Sequence, residues 1–101
     1  MLDKFKQVYQ LQKKAKEIQK ELKNTEVEAK SADLMVKVIL TADQKIKSVE
    51  INEALLNPSQ KKELEEKLVR VLQEGMSRVQ AVAAEKTKSL MGDLGINIPG
   101  I

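Results

Sequence analysis

The chain has 101 residues, with 18 Lys and Arg against 15 Asp and Glu, a formal net charge of +3. It carries no His, Cys or Trp, one Phe (Phe5) and one Tyr (Tyr9), which excludes a Ser-His-Asp triad, a cysteine nucleophile, a zinc site of the usual kind and any disulfide. What is left is a single domain over residues 1–101 with a low-volume aliphatic core, one that a second copy of the chain would help to complete. The chain is therefore expected to be a non-enzyme with no metal, cofactor or small-molecule substrate. Met1-Leu2-Asp3-Lys4 leads into a charged helix rather than a secretion signal. No run reaches the roughly 20 apolar residues that a membrane span needs, so a soluble cytoplasmic protein is expected.

Residues 2–23 lack Gly and Pro and are dominated by Lys, Gln, Glu, Leu and Ala, all good helix formers. Val8, Leu11, Ala15, Ile18 and Leu22 recur at spacings of three and four, and the stripe extends back to Met1. The pattern predicts a helix of about 33 Å whose apolar seam asks for a partner surface along its whole length. Three strands follow, over about 25–30, 34–41 and 45–52. In the first, Val27 and Ala29 alternate with Glu26 and Glu28; the second is apolar on both faces, as a central strand is. In the third, Val49 and Ile51 share one face and Ile46 takes the other. Ser31-Ala32-Asp33 and Ala42-Asp43-Gln44 are the turns, and connections this short make an antiparallel meander.

Asn57 is placed to cap the next helix, Pro58 suits its first position and Gln60 the capping-box position. That helix is predicted over about 58–90 on the stripe Leu64, Leu68, Leu72, Met76, Val79, Val82 and Ala83, interrupted only by Gly75, which close helix packing at the seam explains better than a hinge. A loose tail over 91–101 contains Gly92, Gly95, Pro99 and Gly100. The fold class is α+β in the order α-β-β-β-α, with both helices projecting past the sheet.

Charge is unevenly placed. Residues 1–24 hold seven Lys against three acids, so the remaining 77 residues carry a net −1. Opposite the seam, the outer row of the first helix reads Lys6, Tyr9, Lys13, Lys16, Lys20, Lys23. The equivalent row of the second helix (Glu63, Glu66, Arg70, Gln73, Ser77, Gln80, Ala84) has no net sign. Like charges at such spacings destabilise a helix by roughly 0.2–0.5 kcal/mol per pair, and a polyanion would neutralise them with release of counterions. A merely solvated face and an anionic membrane are the alternatives, the latter disfavoured by the narrow apolar face. Phe5 and Tyr9 either pack near the helix end or stack a base. Glu26 and Glu28 are solubilising strand residues rather than paired catalytic carboxylates.

Leu34-Met35-Val36-Lys37-Val38, Val49-Glu50-Ile51-Asn52, Leu55-Leu56 and Leu64-Glu65-Glu66-Lys67-Leu68, with the Gln/Lys-rich first helix and the Gly/Pro-containing end, resemble the YbaB/EbfC family of nucleoid-associated proteins. The likeness covers nearly the whole chain as dispersed positions. It departs at Ala42-Asp43-Gln44, where a Gly is frequent, and at Val71-Leu72-Gln73-Glu74-Gly75-Met76, where small residues and an Asn-Asp pair are frequent. The resemblance implies a bacterial homodimer joined through its sheets, with helices projecting like tweezer arms. It also implies binding of duplex DNA without strong sequence preference, to organise the nucleoid or modulate gene expression. The candidate contacts are Lys6, Tyr9, Lys13, Lys16, Lys20 and Lys23, with Tyr9 donating to a phosphate and Arg70, Arg78, Lys86 and Lys88 as a second set. Two rivals remain: a prefoldin-like holdase chaperone gripping clients between its arms, and a structural partner in a larger protein assembly.

Overall fold

The computed structural model describes residues 2–92. Helix α1 spans Leu2–Lys23, strands β1, β2 and β3 span Glu26–Lys30, Val36–Thr41 and Lys45–Ile51, and helix α2 spans Lys61–Gly92. Short 3-10 turns at Glu53–Leu55 and Pro58–Gln60 join β3 to α2. The strands form one antiparallel sheet in the order β1-β2-β3. The predicted α-β-β-β-α order is thus the observed one; the Met1 end of the seam and the tail from residue 93 onward lie outside the described residues.

Alternation explains the layers. Val27 and Ala29 on β1 and Val36, Val38 and Leu40 on β2 point to one face and are buried there. α2 lies across β1 and β2 on that face and contributes Val71, Gly75 and Val79 to the core, with Leu64, Leu68, Leu72 and Met76 packed around it. The close approach is made at Gly75, where a Cβ would stand 2.6 Å from Leu40 Cδ1 and 3.4 Å from the Ala29 Cβ. Close packing is the reason for this glycine, but against the sheet rather than at a helix–helix seam as expected.

Four local expectations are corrected. β2 begins at Val36 rather than 34, because Leu34 adopts φ 63° at the corner of the turn. That turn is built by Asp33, whose Oδ1 accepts from Ser31 Oγ (2.6 Å) and the Met35 amide (3.1 Å). A register shift pairs Ile39 with Ser48 but Leu40 with Ile46. This bulge returns Ile46 to the face shared by Val49 and Ile51 instead of the opposite one. The Asn57 side chain makes no capping bond to the helix: its oxygen accepts from the Ser59 hydroxyl and its Nδ2 donates to the Ala54 carbonyl at 3.1 Å. The α-helix proper starts only at Lys61 and runs on to Gly92, past the predicted end at 90. The second turn, with no glycine, places Gln44 at φ 68°.

α1 packs on α2 rather than on the sheet. Chain direction and the Glu21–Lys86 pair (3.0 Å) make the two helices antiparallel beyond the sheet's end. Gly92 lies about 9 Å beyond Lys86, level with about residue 15 of α1. Ile18 is accordingly buried, while Val8 and Leu11 are 52% and 43% exposed. The partner surface that the seam demands exists within the described residues only for its second half. The molecule is a rod of 68 × 22 × 15 Å with a radius of gyration of 18.8 Å, against about 13 Å for a compact chain of this length.

Candidate nucleic-acid interface

The outer row of α1 follows from its helical period. With Ile18 facing α2, residues at the 6-9-13-16-20-23 spacing point away from it, and all six are exposed. From Lys6 to Lys23 the row runs about 26 Å. Lys13–Lys16, Lys16–Lys20 and Lys20–Lys23 are successive like-charge neighbours.

What sets the row apart is the pairing around it. Among the described residues, none of Lys6, Lys13, Lys16, Lys20 and Lys23 takes part in an ion pair. Two acids of α1 answer cations off the row: Glu17 meets Lys14 at 3.3 Å and Glu21 meets Lys86 at 3.0 Å. Lys4, on the seam side and outside the predicted row, is also exposed. Periodicity alone assigns it to the covered face; counting antiparallel residues past the Glu21–Lys86 contact would have found it.

The second set divides. Arg78 donates from Nη1 to the Glu28 carbonyl (2.8 Å) and from Nη2 to Glu74 (2.5 Å), tying α2 to β1. Lys86 holds Glu21 and so ties the helices together. Arg70 and Lys88 are exposed on the back of α2. Arg70 also lines a cleft of about 260 Å³ with Lys30, Asp33, Lys67 and Glu74, a lining of both signs. There Lys67 lies 2.6 Å from Asp33 and 3.3 Å from Glu63. The Lys67 ammonium, then the Ser31 hydroxyl and the Met35 amide, hold the Asp33 carboxyl far below the ordinary carboxylate range, and Asp33 in turn raises Lys67.

The outer face of the sheet is charged but internally matched. Lys47 reaches across to Glu26 at 3.0 Å, and Lys37 sits between Glu50 (3.4 Å) and Glu28 (3.7 Å), which raises its pKa, Glu50 contributing most. Glu26 and Glu28 are thus members of a cross-strand charge ladder. No group of His, Cys, Asp and Glu among the described residues could hold a metal ion, and none of their helices is long and apolar enough to cross a membrane. The arrangement offers a linear array of unneutralised ammonium groups.

The profile of the YbaB/EbfC DNA-binding family matches residues 1–94. Nucleoid-associated proteins of Rhodopseudomonas palustris and Afipia carboxidovorans are 38% and 36% identical over 100 residues; each alignment covers 99% of this chain and 94% and 93% of the relative. A nucleoid-associated protein of Prochlorococcus marinus is 33% identical, covering 99% of this chain and 85% of the relative. Among solved structures, an uncharacterized protein from Helicobacter pylori superposes with a TM-score of 0.70 over 88% of this chain and 89% of its own, at 21% identity, and so shares the fold. Family profile and relatives agree over nearly the full length, and the chain belongs to the YbaB/EbfC DNA-binding family.

Proposed function

We propose that this is a nucleoid-associated protein that binds DNA through the phosphate backbone, chiefly by the outer row of α1, with little sequence preference. The observation that carries the reading is that, among the described residues, five exposed lysines on one face have no acidic partner while the neighbouring Glu17 and Glu21 each have a basic one. A helix bears that repulsion at a cost of about 1 kcal/mol over three neighbouring pairs, which an array of phosphates removes. Lys, a flexible point charge, suits phosphates better than it suits bidentate reading of base edges. Lys6, Lys13, Lys16, Lys20 and Lys23 are the primary contacts, with Tyr9 donating to a phosphate. Lys4, Arg70 and Lys88 extend the basic surface; Arg78 and Lys86 act through the architecture. The names of the relatives support DNA as the partner and the nucleoid, within the cytoplasm, as the place.

The working unit in this reading is a homodimer. α2 leaves β3 uncovered on the core face, where Ile46 and Val49 are 53% and 46% exposed, and a second copy would cover them. Val49→Asp should give monomers by light scattering; an unchanged dimer would move the interface elsewhere.

The direct test of the DNA contact is a mobility-shift titration on duplex DNA across salt concentrations, wild type against Lys13→Glu/Lys16→Glu/Lys20→Glu. With about eight phosphates neutralised per dimer, log K should fall against log[salt] with a slope near −7. The variant should lose affinity by roughly 100-fold or more at moderate salt and flatten the slope. A wild-type slope near zero, or a variant that binds normally, would overturn the assignment.

A further inference from the structure

The only two aromatic rings in the chain, Phe5 and Tyr9, take no part in the core that the described residues build. They are 73% and 67% exposed, while the buried cluster consists of Val, Ala and Leu side chains. Packing near the helix end, the simpler expectation for them, is therefore absent among the described residues. Being four residues apart, the rings stand about 5–6 Å from each other at Cβ on one side of α1. Tyr9 lies within the lysine row and Phe5 one turn before it, with Lys6 between them and Lys13 a turn beyond. A flat apolar pair set among unpaired cations matches one ligand chemistry closely: bases, which stack, carried on phosphates, which the ammonium groups attract.

We infer that Phe5 and Tyr9 form a base-stacking pair, so that the protein favours DNA with unpaired bases over intact duplex. The inference rests on the lysine row being the phosphate contact. In a duplex the base faces are shut inside the stack, and rings on the outside of a helix reach only sugar and phosphate. In an extended single strand successive bases are free, and the ring spacing offers one ring to each. Salt also separates the two forms. Neutralising a phosphate costs less affinity on raising salt for a single strand than for a duplex, with slopes of about 0.7 and 0.9 per contact. The preference should therefore widen as salt rises.

The test is a pair of mobility-shift titrations, on a mixed-sequence oligonucleotide without self-complementarity and on its duplex, at about 50 and about 200 mM salt. Wild type should prefer the single strand, by roughly tenfold at the higher salt. Phe5→Ala should lower single-strand affinity roughly tenfold and leave duplex affinity within about twofold. Tyr9→Phe, which keeps the ring and loses the hydroxyl's phosphate contact, should lower single-strand affinity by no more than about threefold, whereas Tyr9→Ala should lower it by roughly tenfold more. Equal affinities for the two forms, parallel losses on both, or Tyr9→Phe behaving as Tyr9→Ala would overturn the inference. So would a change of oligomeric state in Phe5→Ala on size exclusion, which would place the ring between copies of the chain. If duplex binding is present and lost in the lysine triple variant without any single-strand preference, only this inference fails. If neither form binds at the lower salt, the lysine-row reading fails with it.

Discussion

Along α2, Lys67, Arg78 and Lys86 each meet an acid or a carbonyl, at 2.6, 2.8 and 3.0 Å for their Asp33, Glu28 and Glu21 partners. Along the outer row of α1, among the described residues, no lysine does. Both are long amphipathic helices, but α1 carries seven Lys against three acids and α2 seven basic against five acidic side chains. Position adds to the difference: α2 lies over the sheet, where turns and strand ends present oxygen atoms, while the first half of α1 runs past the other described residues. A cation with a partner inside the fold sets geometry; in the proposed function, one without a partner meets a phosphate.

The two helices should therefore answer to different assays, α1 to binding and α2 to stability. The largest effect expected is on binding. Lys16→Glu alone should weaken DNA binding roughly tenfold or more, yet stabilise the fold by about 0.5 kcal/mol by relieving contacts with Lys13 and Lys20. A paired loss of affinity and stability would mean that the row is structural.

Next is Gly75→Val, which forces a branched side chain against Leu40, fully buried, and Ala29. It should cost about 2–3 kcal/mol in denaturant melts and leave the affinity of the folded fraction unchanged. A stable variant would mean that α2 can lift from the sheet freely. Arg78→Ala, which removes the bonds to the Glu28 carbonyl and Glu74, should cost about 1 kcal/mol with little effect on DNA binding. A large binding defect without a stability defect would return Arg78 to the interface.

The smallest effect is the pH response of the Asp33–Lys67 pair. Because the folded carboxyl titrates below its ordinary value of 3.8, its contribution is complete above that value and is lost as pH falls from about 4 through the folded pKa. The melting-temperature gap between wild type and Asp33→Asn should stay constant from neutral pH to about pH 5 and close below about pH 4. A gap that persists in acid would assign the effect to turn geometry instead of charge.

The strongly periodic elements were legible in the sequence: both helices, the three strands and the lysine face all follow from spacing of apolar residues. What was not legible depends on single backbone conformations or on tertiary neighbours. Leu34 reads as strand but takes a left-handed corner because Asp33 can bond both flanks of the turn. Ile46 changes face through one extra residue at the bulge. Asn57 looks like a cap, but its oxygen is taken by Ser59. Of the predicted basic residues, the α1 row was recoverable because exposure on a helix is periodic. The roles of Arg78 and Lys86 were not, since their partners Glu28 and Glu21 lie 50 and 65 positions away.

The placement of the aromatic residues has a spectroscopic consequence. With no Trp and a single Tyr in the chain, near-ultraviolet absorption and emission belong almost wholly to Tyr9, on the outer face of α1, while the aliphatic core is optically silent. Tyrosine quenching should therefore report ligand arrival on the arm without any label. A thermal melt followed at the same wavelength would record fraying of α1 and pass over the cooperative loss of the sheet, which only far-ultraviolet dichroism or calorimetry would register.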